Sequence, residues 1–269
     1  MQNDAKIMQR LSEHKKSALA ATPCGDWFVI CLQGSQNYGL ANENSDVDTR
    51  LLTLPSMQEL TLNKKPISKT HIMENNEHCD VKDVREYFQI FRKSNINFVE
   101  ILFTDYWLAN DKYIHIWLDI KAHAEKLARY NPCATLCCIK GMAQERFKNL
   151  CNEDPLKYGY NPKQLSYLFY LKYFVDHYIA GDPYTDCLYV KEPETQETLL
   201  QLKQNGLKLT KESAIELAED TFKYICKKVD TFNQYNVNKS DEELDNYLNE
   251  TLCNLVFANM TEKMEEYNG

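Results

Sequence analysis

The sequence predicts an α+β fold, a mixed sheet with flanking helices followed by a mostly helical C-terminal region. Two features carry that prediction. Before residue 108, short runs of β-branched and aromatic residues alternate with helix-like stretches and turn clusters. After residue 111, the chain changes to long segments rich in Tyr, Leu and Lys. In these, Asn131-Pro132 and Asn161-Pro162 each read as a cap followed by proline at the first helical position. The expected domains are residues 1–108 and 109–269.

Residues 4–20 have apolar positions at Ile7, Met8, Leu11 and Leu19 and read as a helix that Pro23 and Gly25 break. An apolar run at 27–32 is the first strand. It feeds Gly34-Ser35, a turn expected to open a short helix. A second strand is expected over 46–53, starting at Ser45-Asp46-Val47-Asp48. Side chains alternate on a strand, so Asp46 and Asp48 share one side while Val47 points into the core. Pro55 ends that strand, and Ser56 caps a short helix. Residues 62–73 lead from a loop into a strand, 74–77 form a turn, and His78-Cys79-Asp80-Val81 begins the next strand. Asp83 opens a helix over 83–93 whose apolar stripe is Val84, Tyr87, Phe88 and Phe91. The apolar segment 95–103 follows, with Glu100 as a structural partner for a nearby base. Further helices are expected near 111–129, 132–151, 161–181, 195–204, 210–231 and 241–266, the third of these stopped by Gly181-Asp182-Pro183.

The chemistry concentrates in residues 34–50. Two carboxylates fixed side by side, Asp46 and Asp48, repel one another unless a cation lies between them. Hard oxygen ligands suit magnesium, which is commonly held by one or two carboxylates plus substrate phosphates. The Gly34-Ser35 turn adds backbone N–H groups at a helix start, where an anion is favoured. Together these point to phosphoryl or nucleotidyl transfer.

Gly34-Ser35-x-x-Tyr38-Gly39 followed by Ser45-Asp46-x-Asp48-x-Arg50 resembles the signature of the DNA polymerase β-like nucleotidyltransferase superfamily, in its bacterial and phage "predicted nucleotidyltransferase" branch. The resemblance continues through residues 65–71 and 97–103. It implies a nucleotidyltransferase catalytic domain over 1–108, with ATP or another nucleoside triphosphate as substrate and Mg2+, or Mn2+, as cofactor. Asp46 and Asp48 would bind the metals, and Asp80 would be the third carboxylate, taking the proton of the attacking hydroxyl or completing the metal shell. Asp83 is the rival for that place. Gly34 and Ser35 would hold the terminal phosphates. Arg50 lies on the face of Asp46 and Asp48, and either contacts phosphate or pairs with an aspartate or a helix. Lys163 matches a branch position that contacts triphosphate, whereas Tyr167 and Tyr170 replace a histidine and an arginine. Those tyrosines either stack on a substrate base or pack in the core. One group of the branch is associated with RNA repair, which favours an RNA 3′ end as acceptor over a protein or a small molecule. The competing class is a noncatalytic nucleotide-binding module of a toxin–antitoxin or defence system.

Composition sets outer limits. The chain has 269 residues, 43% hydrophobic and 26% charged, ordinary for a globular protein. It shows no run of eighteen apolar residues and no apolar N-terminal leader, and its ten cysteines read as reduced thiols, so the expected compartment is the cytoplasm without membrane contact. The net charge of −8 is concentrated in residues 241–269, read as a solvated helix face. Global charge therefore argues against strong nonspecific nucleic-acid binding. Cys133, Cys137 and Cys138 lack matching ligands for zinc. The tyrosines between 158 and 178, with Lys157, Lys163 and Lys172 interleaved, read first as core packing and second as a stacking surface for single-stranded RNA.

Overall fold

Strand β1 (Asp26–Gln33) is an inner strand of a five-stranded sheet, and its residues Phe28 to Leu32 are buried. The computed structural model describes residues 2–42, 45–152, 158–237 and 241–268. Lys157, one of the interleaved basic residues, lies outside them. The sheet order is β3-β4-β2-β1-β5, with β2 Asp48–Leu54, β3 Ser68–Ile72, β4 His78–Asp83 and β5 Trp107–Ala109. β2 and β4 run parallel, and the other pairs are antiparallel. The register sets Gln33 opposite Asp48 and Arg50 opposite Asp80.

The helices are α1 Gln2–Ala21, α2 Met57–Thr61, α3 Val84–Phe91, α4 Ile96–Val99, α5 Ile114–Ala122, α6 Ala124–Ala128, α7 Pro132–Asn149, α8 Pro162–Ala180, α9 Tyr184–Leu188, α10 Pro193–Asn205, α11 Lys211–Tyr235 and α12 Glu242–Asn268. Several local expectations are met atom for atom. Ser56 and Glu59 form a reciprocal capping box on α2. Asp83 caps α3 through the Arg85 N–H, while Asn131 and Asn161 cap α7 and α8. Gly181 ends α8 in the left-handed conformation. Other expectations shift. The single helix over 111–129 is two helices divided at His123, whose ψ of 6° leaves the helical region. The second strand starts at Asp48, so Asp46 precedes it in a loop, although the alternation continues: Asp46 is exposed, Val47 buried and Asp48 half-buried. The Gly-Ser helix is a single 3-10 turn over Ser35–Tyr38.

Two compact units result: Met1–Gly34, Asp46–Tyr130 and Ser240–Gly269 form the sheet unit, and Ser35–Ser45 with Asn131–Lys239 form the helical unit. Residue 108 falls inside the first. In the sheet unit α1 lays Ile7, Leu11 and Ala18 on Ile30, Leu32, Val47, Leu51, Cys79 and Val81. Burying each Val, Leu or Ile among them contributes roughly 1.5–3 kcal/mol. The acidic α12 also belongs here. It buries Leu244, Leu248 and Leu255, while Asp245 pairs with Arg92 at 2.7 Å and accepts from the Tyr130 hydroxyl at 2.8 Å.

In the helical unit Tyr38, Tyr160, Tyr170, Tyr178 and Tyr184 are buried, whereas Tyr158, Tyr167 and Tyr173 are half-buried. Tyr170 is fully buried, stacks on Tyr38 at 4.8 Å and donates to the Leu188 carbonyl. Tyr167 is half-buried, with the Arg146 guanidinium 4.7 Å from its ring. The segment after Gly34 is fastened here as well. Gln196 Nε2 donates to the Gly39 carbonyl at 2.8 Å and Lys203 Nζ to the Leu40 carbonyl at 2.8 Å. A Cβ on Gly39 would lie 2.7 Å from Gln196 Nε2, and the residue's φ is +74°, so only glycine fits.

Candidate active site

The parallel pairing of β2 and β4 builds the candidate site. Asp48, at the first position of β2, accepts from the His78 backbone N–H at 2.9 Å. Asp80, two residues along β4, lies on the same face. Its Oδ1 accepts from Thr70 Oγ1 at 2.6 Å, and its Oδ2 accepts from Gln33 Nε2 and Arg50 Nη2, both at 3.2 Å. Three strands beside β4 or one strand removed from it thus converge on one carboxylate.

The two acids are electrostatically different. Burial pushes the Asp48 carboxyl up, and the neighbouring charges of Asp46 and Asp80 push the same way, outweighing the His78 N–H. Burial acts in that direction on Asp80 too, but the Thr70 hydrogen bond, the Arg50 charge and Gln33 hold it below the usual carboxylate range. Asp48 has the His78 imidazole nearby, Nδ1 3.7 Å from Oδ1, whereas Asp80 is paired with the buried Arg50 guanidinium at 3.2 Å. Among the described residues no three His, Cys, Asp or Glu side chains gather into a ligand cage. Asp46 and Asp48 instead fit a magnesium site built from two carboxylates and completed by substrate oxygens.

Arg50 is 4% exposed. Besides Asp80, it donates to the Asn97 carbonyl and to Tyr87 Oη, and its guanidinium lies 4.4 Å from the Phe98 ring centre. Of the two roles considered for it, the ion pair with an aspartate is the one these contacts form. Glu100, also buried, accepts from the Gly34 N–H at 3.0 Å and contributes negative charge beside Arg50. It takes the Gly34 amide expected to face a phosphate. Gly34 itself has φ +85°, which explains the glycine. Ser35 and Lys163 both belong to the helical unit, Lys163 exposed in the first turn of α8.

Two residues escaped the sequence reading. His14 and Glu77 are buried and hydrogen-bonded to each other beside the Asp46–Asp48 segment. The available signal was a histidine at position 14 in the apolar stripe 7, 11, 18 of α1.

A mixed sheet with flanking helices and an Asp-x-Asp pair facing a third carboxylate on a neighbouring strand defines a polymerase β-like nucleotidyltransferase. The family comparison agrees. The model of the RNA repair pathway DNA polymerase beta family matches residues 4–175, and the chain belongs to that family. It is an enzyme of the nucleotidyltransferase type with a nucleotide substrate, from a class that generally uses divalent metals. A solved nucleotidyltransferase-like protein from Exiguobacterium sibiricum is similar at 15% identity over 82% of this chain and 74% of that one, with a TM-score of 0.32. No curated protein matches the sequence. No helix among the described residues is long and apolar enough to cross a membrane.

Proposed function

We propose that the protein transfers a nucleoside monophosphate from a triphosphate to an acceptor hydroxyl, with release of pyrophosphate, and that the acceptor is an RNA 3′ end. The observation that carries the transfer reading is the Asp48 carboxylate, half-buried at the start of β2 and on the same sheet face as Asp80 of the parallel strand β4. The RNA acceptor rests on the family description.

Asp46 and Asp48 are the proposed metal ligands, with Asp80 beside them. A bound magnesium would acidify the acceptor hydroxyl and neutralise charge on the departing pyrophosphate. Asp80, held ionised by Arg50 and Thr70, suits charge balance at such a site better than proton abstraction. Gln33, which donates to both the Thr49 carbonyl and Asp80, ties the two carboxylate strands together at the point of reaction. Glu100 fixes the Gly34 turn. Ser35 and Lys163 are the proposed triphosphate contacts, on the strength of the resemblance, with Arg50 acting through Asp80.

The test is incubation with each α-labelled triphosphate, Mg2+ or Mn2+ and total RNA, resolved on a denaturing gel. Label on RNA is expected, and Asp48→Ala should reduce it at least about a hundredfold, since metal charge stabilisation supplies several kcal/mol. Full transfer by Asp48→Ala would refute the metal assignment. Label on protein alone would refute the RNA acceptor.

A further inference from the structure

The peptide between Asp46 and Asp48 is held by a buried carboxylate outside the motif. β2 pairs with β1 only as far as Asp48, opposite Gln33, so Val47 lies one residue beyond the ladder. Its N–H, which belongs to the Asp46–Val47 peptide plane, donates instead to Glu77 Oε1 at 3.2 Å. Glu77 Oε2 is 3.1 Å from His14 Nε2 and 3.4 Å from Arg10 Nε, both on α1. On the other side of Asp48, His14 Nδ1 is 2.9 Å from Thr49 Oγ1. The four residues Asp46–Thr49 are therefore bracketed at Val47 and at Thr49 by one pair of side chains.

That pair is costly. His14 and Thr49 are fully buried, Glu77 is 6% exposed, and their neighbours Ile7, Leu11, Ala18 and Val47 are apolar core. Buried polar and ionisable side chains generally stabilise less than apolar side chains of the same volume. Packing α1 on the sheet thus gives no reason for a histidine and a glutamate here, whereas fixing a peptide plane does. The hydrogen bond sets the orientation of the Asp46–Val47 peptide and hence the direction of the Asp46 side chain relative to Asp48. Side chains that orient ligands from behind are a recurring part of metal sites, and their loss typically weakens metal binding about 10–100-fold.

We propose that Glu77, anchored by His14 and Arg10, is a positioning residue that sets the Asp46–Asp48 spacing for a divalent cation. The proposal rests on the reading of Asp46 and Asp48 as metal ligands. It is tested by Mn2+ binding to the full chain without nucleotide, followed by the electron paramagnetic resonance of free Mn2+, with folding checked by thermal melting. Glu77→Ala should weaken Mn2+ binding at least about tenfold, and Glu77→Gln, which keeps an oxygen for the Val47 N–H, should stay within about threefold of the parent. His14→Leu keeps the apolar stripe of α1 but removes the anchor. It should fall between these two, and it carries the test if Glu77→Ala does not fold. Parent-like binding by folded Glu77→Ala or His14→Leu overturns the proposal, as does a glutamine variant as weak as the alanine one. Mn2+ binding in the parent that Asp48→Ala leaves unchanged overturns the metal reading and the proposal together. Binding that Asp48→Ala abolishes and Glu77→Ala spares overturns the proposal alone.

Discussion

Replacing Arg50 by methionine tests whether the guanidinium is structural. Arg50 and Asp80 face each other across the parallel ladder, with 5% and 24% of their side chains exposed. Removing one member of a buried pair costs about 3–5 kcal/mol. Asp80 is a quarter exposed and keeps Thr70 and Gln33, so about 2 kcal/mol is the better figure here. The Asn97 carbonyl loses its donor, about 1 kcal/mol, and the Phe98 ring its cation, about 0.5–1 kcal/mol. The sum is roughly 3–4 kcal/mol, and about 2–4 °C per kcal/mol converts it to a melting point lower by roughly 10 °C. The assay is tryptophan fluorescence, because Trp27, Trp107 and Trp117 all lie in the sheet unit. Arg50→Lys should recover part of the loss, as one ammonium cannot reach Asp80 and the Asn97 carbonyl in the same forked geometry. A methionine variant melting within about 2 °C of the parent would refute this account of Arg50.

Two further outcomes follow from the geometry. Burial lowers the His14 pKa below its ordinary 6.5, against the pull of Glu77 and Asp48 and with Arg10 acting alongside. The unfolded chain then takes up the proton first, so stability should fall as pH drops below 6.5 toward the folded value, and His14→Leu should flatten that part of a stability–pH curve. An unchanged curve in the variant would contradict the buried neutral histidine. Gly39→Ala must place a Cβ against Gln196 and Tyr189 at a φ of +74°, which should cost about 1–3 kcal/mol and lower the helical melting transition seen by circular dichroism. A transition at the parental temperature would show that the loop shifts freely.

Local chemistry made much of this fold legible. Ser56 with Glu59, Asp83, Asn131 and Asn161 act within three residues of themselves, so their roles could be read directly from neighbours in sequence. Asp46 and Asp48 stand out for the same reason, being close together and of one chemical type, whereas Asp80 is reached only through the family resemblance. The strand boundary at Asp48 was not legible, because it depends on where β1 ends across the ladder. Nor was the division at His123, or the short α9, which is made largely by burying Tyr184, Cys187 and Leu188. Contacts between distant stretches left the weakest trace. Nothing near Tyr38 in the sequence announces Tyr170, and nothing near Val47 announces Glu77.

The chain leaves the sheet unit after Gly34, returns at Asp46, leaves again after Tyr130 and returns at Ser240. Neither unit is thus a single stretch of gene. A fragment ending at 130 would lack α12 and its bond to Arg92, and one beginning at 131 would lack the ring that Tyr170 stacks on. Recombination at one crossover cannot exchange either unit intact, and the Tyr38-Gly39 pair would lose its support if the motif were transplanted without helices α8 and α10. The two units are inherited as one piece although each is compact by itself.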